Sequence, residues 1–181
     1  MRTISTTVYQ FDELNDTAKE KAREWYRNGA LDYDWWDFTY QDAATIGLKI
    51  TSFDLDRNRH AKGHLTMSLP DSCKAILKEH GEACETYKTA SSYAGELATL
   101  TATLNREKEE LSEEEYADKA DELDDTYQGE IDRLTEEYEQ ELLEDYSIML
   151  QHEYEWLLAD EQVDESIRAN EYEFTETGKR A

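Results

Sequence analysis

Proline is nearly missing: Pro70 is the only one in 181 residues. Proline removes a backbone donor and clashes with the preceding helical turn, so a chain that avoids it leaves room for long unbroken helices. Cysteine is scarce too. Cys73 and Cys84 show neither metal-type spacing nor the numbers for a disulfide framework, and free thiols in a reducing compartment are expected. Neither an 18-residue apolar run nor an early apolar segment of the secretory type is found, so a cytoplasmic protein is expected, outside the membrane and not exported. A Gly-rich phosphate loop, a His-Glu-x-x-His pair and a Ser-elbow signature are all lacking. On those grounds neither an enzyme nor a cofactor is expected.

Positive charge is the other shortage, and it is unevenly distributed. The chain has 19 Lys and Arg against 44 Asp and Glu, a formal net charge of −25. Residues 1–100 carry 16 acids and 12 bases, whereas residues 101–181 carry 28 acids and 7 bases. A one-signed field of this kind repels nucleic acid and anionic membrane and attracts basic protein surfaces. What is plentiful is aromatic: 11% of residues, with four Trp and twelve Tyr. Disordered acidic chains are poor in aromatics, and this length suffices to bury a core.

The opening "TTVYQFDEL" reads as a short strand running into a turn, after which Asp12 or Asn15 caps a helix, "DTAKEKAREWYRNG", stopped by Gly29. A second helix is predicted from about Tyr33 to Ile46, ended by Gly47. In "LKITSFDLDR" strict alternation puts Leu48, Ile50, Ser52 and Asp54 on one face, and "GHLTMSL" (Gly63 to Leu69) is its natural hairpin partner. Pro70 opens a helix that ends near Gly81, and another helical stretch reaches about Asn105.

A long helix then begins at Ser112, where Ser-Glu-Glu-Glu forms a capping-box pattern. Tyr116, Ala120, Leu123, Tyr127, Ile131, Leu134, Tyr138, Leu142, Tyr146 and Met149 recur at steps of three and four. This is one apolar stripe on a nearly straight helix rather than a heptad coil. The ending "EYEFTETG" is expected to add a strand beside either the hairpin or the first strand. The predicted fold is α+β and helix-dominated. It has a small antiparallel sheet, made by a hairpin at about 48–69 plus the terminal strands, and one long acidic helix at about 112–158. A compact part at 1–105 and a helical part with its return at 106–181 are expected to form one domain.

The phrases "YQFDELNDTAKEKAREWYR", "WWDFTYQDAATIGLKITSFDLDR", "HGEACETYK" and "ANEYEFTETGKR" resemble a widespread group of small proteins encoded by phages and prophages. The resemblance covers most of the chain. No activity is established for that group, so it implies no site residues. It does imply a context, a phage product at work inside a bacterium, and it favours reading the acidic surface as aimed at a host protein.

The stretch "LSEEEYADKADELDD" holds eight carboxylates against Lys119 alone, and residues 107–145 hold 19 acids against Lys108, Lys119 and Arg133. At about 1.5 Å per residue that is one net charge per about 3.7 Å, close to the roughly 3.4 Å of a single DNA strand. Ordinary surface helices interleave Lys at i+4 and gain about 0.2–0.5 kcal/mol per pair; this one mostly does not. The carboxylates assigned to partner binding are Asp118, Asp121, Glu122, Asp125, Asp132, Glu136 and Glu137. The plain alternative is a solvated helix face.

Four other features carry weaker chemistry. Asp54, Asp56, His60 and His64 offer donor types that suit a divalent metal, but at no defined spacing. A solvated turn is the favoured reading, and an internal docking point for the acidic helix is a second plain one. His80, Cys73 and Cys84 suggest a Cys/His nucleophile without an orienting third group, and packing cysteines are the simpler reading. Trp35 and Trp36, set among Asp32, Asp34 and Asp37, are expected to send one ring into the core and leave the other as a partner anchor. The tyrosine stripe is expected to pack against the rest of the chain or a second copy, which allows a homodimer, with a partner-facing tyrosine patch as the alternative.

The sequence therefore supports one principal expectation: a phage-type inhibitor that mimics nucleic acid and occupies the basic channel of a host defence protein. Two alternatives remain. One is a structural protein that self-associates through the long helix; the other is a metal-dependent enzyme at Asp54, Asp56, His60 and His64.

Overall fold

The computed structural model of this chain describes residues 7–29 and 31–181, and leaves the side chains of Ala117 and Asp118 undescribed. The fold is helix-dominated α+β, with short antiparallel strand pairs. Two compact units divide it: the described part of Met1–Asp37 together with Gln151–Ala181, and Phe38–Leu150.

In the first unit, β1 (Tyr9–Gln10) runs through a short 3-10 turn into α1 (Asp16–Arg27). Asn15 is the cap: its Oδ1 accepts from the Ala18 N–H at 3.0 Å, satisfying a donor that no helical carbonyl reaches. The closing segment gives α6 (Asp160–Ala169) and β4 (Glu173–Phe174). β4 pairs antiparallel with β1, Tyr9 opposite Phe174. Of the two positions open to the final strand, it takes the one beside the first strand, so the described residues form two separate two-stranded sheets. Phe11, Leu14, Ala18, Ala22, Val163, Ile167 and Phe174 form this unit's core. Alanine at two successive inward turns lets α1 approach the branched side chains of α6 closely. Arg23 clamps α6 through Nε and Nη2 to the two Asp164 oxygens, both at 2.7 Å. The Gly178 Cα, at φ +81°, sits so near α1 that a Cβ would come within 2.0 Å of the Ala18 carbonyl oxygen.

In the second unit, α2 (Asp37–Thr45) starts four residues later than its sequence suggests. Trp35 is buried in the first unit, its ring 5.6 Å from Trp36 and 5.7 Å from Tyr154, and tertiary packing overrides the local helical pattern before Asp37. Gly47, at φ +78°, turns the chain into β2 (Leu48–Asp54), which pairs antiparallel with β3 (His60–Leu65). The register slips between Ile50 and Ser52. Thr51 is the extra residue of this bulge, and the slip inverts the alternation beyond it. Leu48 and Ile50 are buried as expected, but Ser52 and Asp54 do not share their face. Phe53 turns inward instead, 6.3 Å from Tyr40.

Ser68 caps α3 (Leu69–Glu79), with Pro70 in its first turn. α4 (Glu85–Glu109) and α5 (Glu113–Leu157) follow. They form an antiparallel hairpin: Lys108 Nζ lies 2.5 Å from Asp124, the Tyr93 and Tyr138 rings are 5.2 Å apart, and Thr89 donates to Asp145 at 3.0 Å. The predicted capping box is present. Glu115 N–H meets Ser112 Oγ at 3.4 Å, and Glu115 Oε2 accepts from the Ser112 N–H at 3.3 Å. The apolar stripe is buried inside this chain at Leu134, Tyr138, Leu142 and Tyr146, where it meets the core, and at Ala120. Its ends drift outward. Tyr116 and Met149 are exposed, and Leu150 is buried in place of Met149. The core joins Leu134, Tyr138, Leu142 and Tyr146 to Ile46, Leu48, Ile50, Leu69, Cys73 and Ile76. Tyr138 donates its hydroxyl to Ser72 Oγ at 3.0 Å, and Ser72 in turn donates to the Ile46 carbonyl at 2.8 Å.

Candidate partner-binding face on α5

At about 100° per residue, Asp121, Asp125, Asp132 and Glu136 lie within about 60° of one another around α5, opposite the buried stripe. All four are exposed, as are the adjoining Glu122 and Glu137. The side chain of Asp118, assigned to the same face, lies outside the described residues. Glu114, seven residues before Asp121, falls at the same azimuth and is exposed; it extends the ridge, and helical spacing alone would have found it.

The available cations are mostly engaged beside this ridge. Lys119 pairs with Glu115 at 3.2 Å, and Arg133 holds Glu130 and Glu137 at 2.9 and 2.7 Å. Asp132 accepts from Gln128 Nε2 at 2.7 Å. Asp121, Glu122, Asp125, Asp132 and Glu136 form no ion pair among the described residues. Two acid-lined hollows flank the ridge. One, of about 510 Å³, holds Glu107, Glu110, Glu115 and Glu122 around Lys119. The other, of about 650 Å³, sets Tyr93 among Glu136, Glu137, Glu139 and Glu141. Burial and the neighbouring Glu141 push the Tyr93 hydroxyl up to about 12.

The free ridge is shorter than the charge run. Residues 107–109 belong to α4, and from Glu139 onward the same azimuth faces protein. Glu139 Oε2 accepts from the Leu65 N–H at 2.8 Å, and Leu143 and Ser147 are buried. Glu114 to Glu136 is about 33 Å at 1.5 Å per residue, rather than the about 58 Å of the whole run.

The hairpin residues are placed differently. Asp54 Oδ1 accepts from the Asp56 N–H at 2.8 Å, and His60 Nδ1 meets the Asn58 carbonyl at 2.8 Å, so both organise the turn. Asp54 stands opposite His60 in the ladder, but His64 stands opposite Lys49, about 13 Å along the strand at 3.3 Å per residue. Among the described residues no group of three His, Cys, Asp or Glu side chains could hold a metal ion. The hairpin does dock on the acidic helix. Arg59 donates to Ser147 Oγ at 3.1 Å and pairs with Glu144.

His80 and Cys84 are not one turn apart on a helix, because α3 ends at Glu79 and α4 starts at Glu85. Cys73 is buried and Cys84 exposed, both as free thiols. His80 belongs to a polar cluster that sequence spacing did not reveal: its Nδ1 meets Thr86 Oγ1 at 2.8 Å, and its Nε2 lies 3.7 Å from Asp42, which accepts the Tyr146 hydroxyl at 2.7 Å. Of the tryptophan pair, Trp35 is the buried ring and Trp36 is half-buried.

Fold and face together define a helix-dominated α+β protein with a carboxylate ridge along its longest helix. No family model, curated protein or solved structure matches the chain. None of its described helices is long and apolar enough to cross a membrane.

Proposed function

We propose that the chain inhibits a host nucleic-acid-handling defence protein by laying the α5 ridge in that protein's basic channel. The observation that carries this reading is the exposed row of Asp121, Asp125, Asp132 and Glu136, with no ion pair among the described residues. Within the pairs Asp121–Asp125 and Asp132–Glu136 the carboxylates, at i, i+4, stand about 5–6 Å apart, with a step of about 10 Å between the pairs, and they present acceptor oxygens to Lys and Arg as a phosphate backbone does. Because half or more of the hydrogen bonds in protein–DNA complexes go to phosphate and sugar, a row of anions can compete without carrying any base sequence. The flanking Glu122 and Glu137 widen the row, and Tyr93 lies in a hollow beside it. The resemblance to phage-encoded proteins supplies the bacterial setting, in which the inhibitor acts in the host cytoplasm without a cofactor and without catalysing a reaction.

The test is capture from a bacterial lysate at about 50 mM salt, followed by displacement with DNA or RNA. A nucleic-acid-binding enzyme that is released by either polymer, and whose affinity falls at least tenfold by about 300 mM salt, is the expected result. The quadruple substitution Asp121→Asn, Asp125→Asn, Asp132→Asn, Glu136→Gln should weaken that complex at least tenfold without unfolding the chain. A captured partner indifferent to both salt and the quadruple substitution sinks the proposal.

A further inference from the structure

The first unit contains 17 carboxylates and eight Lys or Arg residues, so each cation has acids to choose from. Three of the seven described cations are ion-paired. Arg23 pairs with Asp164 and Glu20, Arg27 with Glu20 and Asp160, and Arg168 with Asp12. Lys19 lies over the Phe11 ring at 5.6 Å. Of the four that form no ion pair among the described residues, that leaves Lys21, Lys179 and Arg180. The undescribed Met1–Thr6 and Ala30 contain no side-chain carboxylate. All three line one cleft of about 350 Å³, together with Trp25, Thr177 and Gly178.

That cleft is held in shape. Gly178 N–H donates to the Thr175 carbonyl at 2.9 Å, Lys179 N–H to Thr175 Oγ1 at 3.2 Å, and Thr175 N–H to the Lys179 carbonyl at 2.8 Å. The closed turn is seated on α1 by the close approach of Gly178 to Ala18. The Arg180 guanidinium is fixed by three contacts: the Tyr172 ring at 5.0 Å, the Trp25 ring at 5.8 Å, and the Glu173 carbonyl, to which Nη1 donates at 2.6 Å. One of its five N–H donors is thereby engaged, and the planar fork suits bidentate recognition of an oxyanion. Positioned cations lose little freedom on binding.

We propose that this cleft binds a phosphate-class dianion, presented as inorganic phosphate or as the phosphoryl group of a small phosphomonoester. Two lysines and one arginine match a dianion with several acceptor oxygens better than they match a single carboxylate. The site is independent of the α5 ridge and of the partner that ridge is proposed to engage.

The experiment is a ¹H–¹⁵N NMR titration of the full chain at about 150 mM ionic strength, where the screening length is about 8 Å. The probes are inorganic phosphate, adenosine monophosphate and an eight-nucleotide oligothymidylate, with chloride as the matched control. The expected result is a saturable shift of the Lys179 and Arg180 amides and the Trp25 indole N–H with phosphate or adenosine monophosphate, and a smaller response to the oligonucleotide. Lys21→Glu with Lys179→Glu should weaken binding at least tenfold while leaving the remaining spectrum in place. Non-saturating shifts, shifts spread equally over Lys49, Lys62 and Arg57, or an affinity unchanged by the double substitution overturn the proposal. So does stronger binding of the oligonucleotide than of both phosphate probes.

Discussion

Asp145 sits half-buried on α5, accepting a hydrogen bond from Thr89, with Glu85, Glu141 and Glu144 adding negative potential around it. Burial, reinforced by those carboxylates, raises its folded-state pKa above the ordinary 3.8, and the Thr89 hydroxyl only partly offsets this. The folded state therefore holds the Asp145 proton more tightly than the unfolded chain. The stability this confers is complete below about pH 4 and is lost as pH rises through the elevated value. Asp145→Asn keeps an acceptor for Thr89 and removes the charge. In urea unfolding it should exceed the parent in stability at pH 8, with the difference shrinking towards zero as pH approaches 4; a variant less stable at pH 8 would contradict the assignment. At this scale the sequence was most informative about caps. Asn15 and Ser112 act within three residues of themselves, so local spacing exposed them. The Tyr146–Asp42–His80 cluster joins residues up to 104 apart in the chain, and no periodicity encodes that meeting.

Gly129 lies in the middle of α5, and a Cβ built on it meets nothing within 4 Å. Glycine in a helix interior costs about 0.5–1 kcal/mol relative to alanine through lost backbone freedom. Gly129→Ala should recover about that amount, read as a higher urea midpoint with an unchanged slope. A loss of stability instead would mean that α5 is bent or interrupted at this residue. The elements themselves were largely legible. The long helix and its inward Tyr138 and Tyr146 were legible from step spacing, and its start at Ser112 from the capping box. The hairpin was found too, but its second strand is His60–Leu65 rather than Gly63 to Leu69, and its facing beyond Thr51 was not legible. A bulge adds one residue to a period of two, and the slip shows only in the pairing with β3. The ridge was legible for the same reason as the helix, since it is what a 3.6-residue period leaves outside. Its usable length was not, because Glu139 and Leu143 turn from surface to contact only through the tertiary packing of α5, Glu139 against the hairpin.

Across the whole molecule the same carboxylates enter two balances of opposite sign. With a net charge of −25, the folded chain holds like charges closer together than the unfolded one, and that repulsion opposes compaction. Screening should relieve it. Raising salt from about 20 to about 300 mM shortens the screening length from about 20 Å to about 6 Å, so neighbours farther apart than i, i+4 stop interacting while adjacent ion pairs persist in part. The melting temperature of the parent protein should therefore rise with salt, and that of the variant neutralised at Asp121, Asp125, Asp132 and Glu136 should start higher and rise less. Any complex formed through the ridge should respond inversely, losing affinity over the same range because attraction to a basic channel is screened by the same ions. Calorimetry of the free chain and binding of the captured partner, measured in one salt series, separate the two balances. If the melting temperature falls with salt, ion pairs such as Arg23–Asp164 and Arg168–Asp12 outweigh the repulsion. The ridge would then cost the fold nothing, and its exposed acids would need no partner to account for them. If the melting temperature rises while the complex weakens, the chain carries a destabilising row of charge whose compensation lies outside itself.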